Sequence, residues 1–287
     1  MDAFEEHRAR LLALAYRMTG SRADAEDLVS ECWLRWAQAN KPPSPSVPHN
    51  PGGWLTTVLV RLCLDHQKSA QQSRTHYIGP WLPEPLRTDE PAHDALDHLA
   101  LTESISTAFL LVLENLSPSE RAVLLLHDVF DYEHDEIATM LGRTANACRQ
   151  SLHRARAHLR ENRPRFAPSR EQHAAVLQAF SWAIATGDTA QLTSMFAADS
   201  VILSDSNGKA LAARNPVRGA DPCARMLIGL ARKSMGEQHM EFVQLNGWPA
   251  LVLRVDDQPV SALAIETDGT KVFAVYIVRN PEKLLRL

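Results

Sequence analysis

Apolar side chains recur every three or four positions through the first half of the chain, which is the spacing of amphipathic helices. The predicted helices are Phe4–Ala39 with a break at Gly20-Ser21, Trp54–Ala70 and Leu96–Leu116. A further helix should begin at Pro118, because Ser117 is a favourable N-cap and proline suits the first helical position. Residues 41–51 hold five prolines in eleven positions and should form a stiff, extended loop.

From about Arg170 the pattern changes. Two short helices, Glu171–Thr186 and Asp188–Ala197, are predicted on either side of Gly187, and apolar runs with the alternation of strands follow. These runs are Val201–Leu203, His239–Leu245, Ala250–Val255, Val260–Ile265 and Val272–Val278. The pairs Asn207-Gly208, Asn246-Gly247 and Asp268-Gly269 predict hairpins. The predicted fold class is therefore a multidomain chain, with an all-α half followed by an α+β half.

Composition narrows the functional classes. The chain has 287 residues, enough for about two domains, and no apolar run approaches the roughly 18 residues that span a bilayer. The N-terminus lacks the apolar stretch of a secretory signal. The cysteines Cys32, Cys63, Cys148 and Cys223 stand far apart, without zinc-binding spacing. We therefore expect a cytoplasmic chain that binds no membrane, no structural metal and no cofactor.

The distribution of charge is more informative than the net charge of −4. Residues 77–116 form an acidic block, and residues 170–287 balance 12 basic against 12 acidic side chains. Within 117–169 the acids come first and a run of arginines follows, from Arg143 to Arg165, with only Glu161 opposing it. A basic stripe on one element is typical of nucleic-acid binding.

Residues 134–153 have the pattern of a helix-turn-helix. Ala138 suits a close helix contact, Gly142 suits a left-handed turn, and Thr144 can cap the second helix. That helix has one apolar face: Ala145, Cys148, Leu152, Ala155 and Leu159. Beside it runs a cationic face: Arg149, His153, Arg156 and Arg160. The alternative is an amphipathic helix with a solvated basic face; DNA binding is favoured because the turn and the basic stripe coincide.

The helix over Asp24–Trp36 is the second informative segment. Its apolar face carries Ala25, Leu28, Val29, Cys32, Trp33 and Trp36, and its acids lie off that face. Taken alone, it would be a core helix with a solvated acidic face. It is followed, across the proline-rich loop, by WLTTVLVRLCLDHQKSA.

The order of DAEDLVSECWLRW, WLTTVLVRLCLD, SPSERAVLLLHDVF and the helix-turn-helix resembles a bacterial RNA polymerase sigma factor of the extracytoplasmic-function (ECF) type, in the sigma-70 family. WLPEP at 81–85, SNGK at 206–209 and NPEKL at 280–284 resemble the sigma-J type, whose C-terminal domain is SnoaL-like (ketosteroid-isomerase-like). NPEKL stands where that pattern has NPDKL, SDSNGK replaces a more glycine-rich stretch, and the proline-rich loop is longer than usual.

This resemblance implies a division of the chain. Residues 1–76 correspond to sigma region 2, which binds core polymerase and the −10 element, and residues 77–104 to a linker. Residues 105–165 correspond to region 4, the helix-turn-helix that binds the −35 element, and residues 170–287 to a SnoaL-like regulatory domain. The implied function is promoter-specific initiation of transcription, tuned by the chain's own C-terminal domain.

The resemblance also implies partners and site residues. The partners are core RNA polymerase, through its β′ clamp and β flap, and promoter DNA. Polymerase would be bound by Asp24, Asp27, Leu28 and Glu31. DNA would be bound by Arg61, Lys68 and Arg74 at the −10 element, and by Thr144, Arg149, Gln150, His153, Arg154, Arg156 and Arg160 at the −35 element. Interdomain regulation would use Trp81, Leu82, Pro83, Glu84, Pro85, Asn207, Gly208, Lys209, Asn280, Pro281, Glu282, Lys283 and Leu284.

Two other functional classes remain open at this point. One is a helix-turn-helix regulator that senses a small molecule through its C-terminal domain. The other is a SnoaL-like enzyme with Asp205, His239 or Asp221 as a general base. The Asp24–Trp36 helix followed by a DNA-melting segment favours the sigma factor, because a repressor has no use for either. We therefore assign no catalytic residue and predict a non-enzymatic protein, with a small-molecule ligand in the C-terminal domain left open.

Overall fold

The computed structural model describes residues 3–41, 50–74, 76–89, 106–162, 168–233 and 238–287, which form two compact units. Among these residues, the first unit comprises the chain up to His76 together with Phe109–Asn162. The second comprises Tyr77–Asp89, residues 106–108 and the chain from Pro168 onward. The first part of the predicted linker thus groups with the C-terminal unit.

The first unit is helical. Its helices are α1 (Ala3–Thr19), α2 (Arg22–Ala39), α3 (Pro51–Arg74), α4 (Thr107–Glu114), α5 (Pro118–Asp128), α6 (His134–Leu141) and α7 (Ala145–Asn162). The predicted break before α2 is present, since Gly20 is left-handed and the Ser21 side chain caps Asp24. Ser117 forms a capping box with Glu120. The predicted helix start at Leu96 and residues 42–49 of the proline-rich loop lie outside the described residues.

The core of the first unit joins its early helices to α5. Leu14 and Leu55 are fully buried, as are Leu124–Leu126 on α5. The buried Arg121 of α5 pairs with Glu114 at 2.6 Å and donates to the carbonyl of Met18 at the end of α1. This carbonyl belongs to the last turn of a helix, where carbonyls lack intrahelical partners. A buried arginine therefore satisfies the end of one helix from another.

The second unit is a curved sheet with helices against it. Its helices are α8 (Arg170–Thr186), α9 (Thr189–Met195) and α10 (Ala220–Lys233). Its strands are β1 (Phe196–Asp205), β2 (Val217–Arg218), β3 (Gln238–Leu245), β4 (Trp248–Val255), β5 (Gln258–Thr267) and β6 (Val272–Val278), in the spatial order β2-β1-β6-β5-β4-β3. All neighbouring pairs are antiparallel except β1 and β6. Phe180 and Phe196 meet edge to face in the core, with ring centroids 5.5 Å apart.

Several turns and elements differ from the predictions. Asn246-Gly247 and Asp268-Gly269 connect β3 to β4 and β5 to β6 as predicted, but Asp256-Asp257 makes the β4–β5 turn with positive φ at both residues. Asn207-Gly208 turns within a longer connection to β2. Phe196-Ala197, predicted as helix, begins β1, and α10 was not predicted.

The structure also bears on the predicted absence of metal and membrane. The four cysteines are free and buried, and the part of the chain that the structure describes contains no cluster of His, Cys and acidic side chains able to hold a metal ion. Burial raises the pKa of the Cys32 thiol to about 12. None of the described helices is long and apolar enough to cross a membrane.

Candidate functional site

The helix-turn-helix has the predicted turn. Gly142 adopts φ 64° after α6, and its N–H bonds the carbonyls of Ala138 and Thr139. The Thr144 hydroxyl accepts the N–H of Ala147 at 3.2 Å and so caps α7. An L side chain at position 142 would be strained by the left-handed conformation, although the space around it is open.

Two adjacent faces of α7 have separate roles. Cys148, Leu152 and Ala155 are buried against the rest of the first unit. The predicted base-contacting side chains, Arg149, Gln150 and His153, are exposed, as are Thr144 and Arg160. Among the described residues, neither Arg149 nor Arg160 forms an ion pair, so both guanidinium groups are available to a partner.

Arg154 and Arg156, which were expected to contact phosphates, instead form ion pairs within the first unit. Arg154 pairs with Glu120 at 2.7 Å, and Arg156 donates twice to Asp128. Burial acts to raise the pKa of Asp128, but hydrogen bonds from Arg156 outweigh it and hold this pKa below its usual value. Both acids lie on α5, so these two arginines bind α7 to its neighbour and could contact phosphate only by sharing or leaving a carboxylate.

On α2, the acidic side chains differ in their surroundings. Asp24 lies 3.3 Å from His66, and Glu31 pairs with Arg35 at 3.0 Å. Asp27 is exposed and forms no ion pair within the described part of the chain. Of the acids predicted to bind polymerase, Asp27 is therefore the one whose charge is uncompensated.

The apolar side of α2 corrects two predictions. Leu28 is buried, so it holds α2 against the core and has no surface to offer polymerase. Trp33, predicted to be in the core, is 43% exposed, and Leu34 is 52% exposed. Trp36 is buried and packs on Trp54 with ring centroids 5.6 Å apart. Trp33 is exposed because the apolar positions of α2 spread around too much of the helix circumference for all of them to face the core.

Of the cations predicted for the −10 element, Arg61 and Lys68 each have a partner in the first unit. The Arg61 Nε donates to the carbonyl of Met140 at 3.0 Å and so links α3 to α6 within the first unit. Lys68 pairs with Asp65 at 2.9 Å on the exposed side of α3. Arg74 lies in the last turn of α3, and its side chain is outside the described part of the structure.

In the second unit the linker is held by a group of polar contacts that we call the linker clasp. It consists of Tyr77–Asp89, Asp205, Asn207–Lys209 and Asn280–Leu284. At its centre, the fully buried carboxylate of Asp205 accepts the Tyr77 hydroxyl at 2.5 Å, the Leu82 N–H at 2.9 Å and the Lys283 ammonium at 2.7 Å. Burial, reinforced by this carboxylate, raises the pKa of Tyr77, so the phenol remains a donor.

The C-terminal tail closes the clasp from the other side. Lys283 also donates to the Leu82 carbonyl, and its ammonium lies 4.2 Å from the centroid of the Trp81 ring. Asn280 donates to the Tyr77 hydroxyl at 3.2 Å. Lys283 is therefore bound at once by a carboxylate, a carbonyl and an aromatic face.

The SNGK segment contacts the beginning of the linker. The Ile78 N–H bonds the side-chain oxygen of Asn207 at 3.2 Å, and Lys209 pairs with Glu282 of the tail at 2.6 Å. Gly208 has φ 72°, and a Cβ there would approach the Ile78 side chain to 2.9 Å. WLPEP, SNGK and NPEKL, which are far apart in sequence, thus meet at one place.

The far end of the linker lies along the edge strand β3. Leu86 and Asn246 exchange hydrogen bonds of 2.8 and 3.2 Å, and Thr88 donates its N–H to Gln244. Arg87 pairs with Glu241 at 2.6 Å, and this contact together with Arg254 lowers the pKa of Glu241. These contacts were not predicted from the sequence, because main-chain pairing with a distant strand leaves no local motif.

The three candidate general bases are separated. Asp205 is used by the clasp, and Asp221 is at the start of α10, where it pairs with Arg225. His239 lines a cavity of about 430 Å³ between the sheet and the ends of α8 and α10. The structure does not bring any two of these side chains together.

Comparisons with known proteins identify the family to which this chain is similar. Residues 3–73 match the Sigma-70 region 2 model, and residues 106–159 match the Sigma-70 region 4 model. The ECF RNA polymerase sigma factor SigJ of Mycobacterium tuberculosis is 36% identical to this chain over 293 residues, which cover 99% of the chain and 92% of SigJ.

The chain belongs to the ECF RNA polymerase sigma factors. The crystal structure of M. tuberculosis SigJ matches it with a TM-score of 0.77 and 34% identity, covering 99% of this chain and 97% of that one. The probable sigma factor SigI of the same species is 38% identical over 188 residues, which are 65% of this chain and 63% of SigI.

Membership of the family settles the function at a general level. This sigma factor is a transcription initiation factor whose partners are RNA polymerase and promoter DNA, and the family acts as non-enzymatic transcription factors. The predicted fold class, helical regions followed by an α+β domain, is confirmed.

The clasp makes a prediction about protection of the linker. Asp205→Asn removes one charged acceptor, so hydrogen exchange across residues 77–89 should accelerate about tenfold or more, as expected for loss of charge-assisted hydrogen bonds. Hydrogen-exchange mass spectrometry of the full chain measures it. Asp199→Asn, an exposed acid on the same strand, is the control. Equal exchange in both variants and the unsubstituted protein would show that Asp205 does not hold the linker.

Proposed function

We propose that residues 1–76 of this sigma factor bind core polymerase and the −10 element, that residues 105–165 bind the β flap and the −35 element, and that residues 170–287 tune initiation through the linker clasp. The division follows the two family matches. The observation that carries the regulatory part is the binding of Lys283 by Asp205, the Leu82 carbonyl and the Trp81 ring.

The polymerase-binding surface should be the exposed side of α2. Asp27 supplies an uncompensated acid, and Leu34, seven residues later on the same helical face, supplies apolar area. An acidic and apolar surface complements the basic coiled coil that the family resemblance implies on the β′ clamp.

Charge reversal at Asp27 tests this surface. Asp27→Ala should weaken binding to core polymerase by about 1 kcal/mol or less, because an exposed ion pair contributes little. Asp27→Lys should weaken it about tenfold or more, because repulsion is added to the lost attraction. Titration with fluorescently labelled protein measures the affinity, and a thermal melt checks folding. Asp199→Lys, on the second unit, is the matched control; an affinity unchanged by Asp27→Lys would remove α2 from the interface.

For the −35 element, we propose that α7 enters the major groove, with Arg149, Gln150 and His153 nearest the base edges and Arg160 on the phosphates. Exposure and the lack of ion pairs at Arg149 and Arg160 support this assignment. Arg154 and Arg156 would act chiefly through their pairs with α5, with phosphate contacts secondary.

Two alanine substitutions separate base contacts from phosphate contacts. Arg149→Ala should cost about 1–3 kcal/mol on the preferred −35 sequence and relax base preference there. Arg160→Ala should weaken binding similarly on all sequences and reduce the slope of affinity against salt by about one. Binding of holoenzyme to a set of −35 variants provides both readouts, with Arg225→Ala as control. If both substitutions cause the same sequence-independent loss, α7 is oriented differently.

The proposed tuning follows from the position of the clasp in the chain. Tyr77 comes three residues after the end of α3, so the clasp fixes the linker close to where region 2 ends. Tyr77–Asp89 could span about 45 Å if released, at 3.3–3.6 Å per residue. Promoter elements centred about 25 base pairs apart lie about 85 Å apart along B-DNA, at 3.4 Å per base pair. The clasp therefore withholds a length of chain equal to about half of the distance over which regions 2 and 4 must act.

Release of the clasp should consequently broaden the promoter spacing that the sigma factor accepts. Lys283→Met keeps the aliphatic stem and removes the ammonium that holds the linker. In run-off transcription with core polymerase, lengthening the spacer by two base pairs should reduce initiation less in this variant than in the unsubstituted protein, by about threefold, a difference of less than 1 kcal/mol. Lys233→Met at the exposed end of α10 is the control. The same spacer dependence in all three proteins would exclude tuning through the clasp.

A further inference from the structure

The second unit contains a cavity with mainly aliphatic walls. It has a volume of about 430 Å³ and is lined mainly by aliphatic side chains from α10 and from strands β4 to β6, including Leu227, Ile228, Leu253, Leu263 and Ile277. Small-molecule sites in proteins have volumes of about 300–1,000 Å³ and are predominantly apolar with a few polar groups. The size and lining of the cavity therefore suit a small organic molecule.

All of the ionisable side chains that line this cavity, among the described residues, are basic or neutral. They are Arg232, His239 and Arg279, and no Asp or Glu is among them. His239 and Arg232 are exposed, whereas Arg279 is partly buried at the end of β6. The lining of the apolar cavity therefore carries positive charge, without a carboxylate among its described residues to balance it.

Arg279 is incompletely satisfied. One of its terminal nitrogens donates to the Leu211 carbonyl, and its Nε is buried without a hydrogen-bond partner. A guanidinium has five N–H donors in a fixed plane, and leaving buried donors unpaired is costly. Desolvation lowers the pKa of Arg279, as expected for a cation without an acidic neighbour. A planar anion would supply both the missing acceptor and the missing charge.

We propose that this cavity binds an apolar monocarboxylate, whose carboxylate pairs with Arg279 and whose hydrocarbon body fills the space between the sheet and α10. A carboxylate matches the planar fork of arginine with two parallel hydrogen bonds. A polyanion such as a nucleotide fits poorly, because the aliphatic walls would leave its further charges unpaired.

The site adjoins the linker clasp. The Arg279 N–H bonds the Asp205 carbonyl at 2.6 Å, and Asn280 begins the tail that binds Tyr77. A ligand on Arg279 would therefore act on the residue directly next to Asn280 of the clasp. That consequence rests on the proposed tuning, whereas binding itself can be measured without polymerase or DNA.

The test compares probes of equal length and different charge on the full chain. Titration calorimetry near pH 7.5 with decanoate, 1-decanol and decylammonium should show saturable one-to-one binding of decanoate. Binding of 1-decanol should be about tenfold weaker, and decylammonium weaker still, since an ionic hydrogen bond to a charged group is lost or reversed. The aromatic carboxylate 2-naphthoate, compared with 2-naphthol, repeats the comparison for a ring-bearing body.

Variants assign the selectivity to Arg279. Arg279→Gln should weaken decanoate about tenfold and leave 1-decanol within about twofold, whereas Arg218→Gln, an exposed arginine outside the cavity, should change neither. Leu263→Trp should fill the cavity and abolish binding of both probes. The proposal is overturned if neither carboxylate binds saturably, if charge does not affect affinity, or if Arg279→Gln leaves the preference for decanoate intact. Should Arg279→Gln not fold, the probe comparison on the unsubstituted protein still decides.

Discussion

A buried carboxylate organises the second unit of this sigma factor. A charge without solvent is tolerated only when it is paired and hydrogen-bonded, and Asp205 obtains its partners from three places: the Tyr77 hydroxyl and the Leu82 N–H of the linker, and the Lys283 ammonium of the tail. Because the carboxylate needs them together, strand β1, the linker and the C-terminus fold as one polar assembly. The linker thereby becomes part of the α+β unit, although in sequence it precedes region 4.

In the first unit, the arginines of α7 likewise differ in whether an acidic side chain of the described residues pairs with them. Arg154 and Arg156 form ion pairs with acids on α5, so their charge helps to hold α7 against α5. Arg149 and Arg160 have none among the described residues, and their charge is available to a partner. A basic stripe counted from sequence overstates the charge available for binding, since two of its five described arginines pair with acids of α5.

The features that the sequence predicted correctly are those determined by residues close together in the chain. The capping residues Ser117 and Thr144 and the left-handed Gly142 each act within a few residues, and each is found as expected. What failed depended on distant partners: Trp33, on the predicted apolar face of α2, is 43% exposed, because packing against α1 and α3 decides which side of that broad face is covered. Asp205 was considered as a general base, since nothing near it in sequence reveals that its partners are Tyr77, Leu82 and Lys283. The family resemblance named the three clasp segments, but only the fold shows which atoms join them.

The clasp has the energetic character of a switch. Hydrogen bonds to a charged group contribute about 1.5–3 kcal/mol each, small beside the apolar core of the unit. Losing one donor alone would leave the Asp205 carboxylate buried and undersatisfied, whereas releasing the linker and the tail together would return it to water. If the clasp opens as the proposed tuning requires, intermediate states are disfavoured relative to closed and open ones, and opening would be cooperative. Coupling between distant sites requires an element with two discrete arrangements. The chain passes from the cavity wall at Ile277, near the end of β6, to the tail at Asn280 within three residues. Under the proposed tuning, a group that favours one position of this short segment would shift the balance of the clasp, and with it the length of chain free between regions 2 and 4.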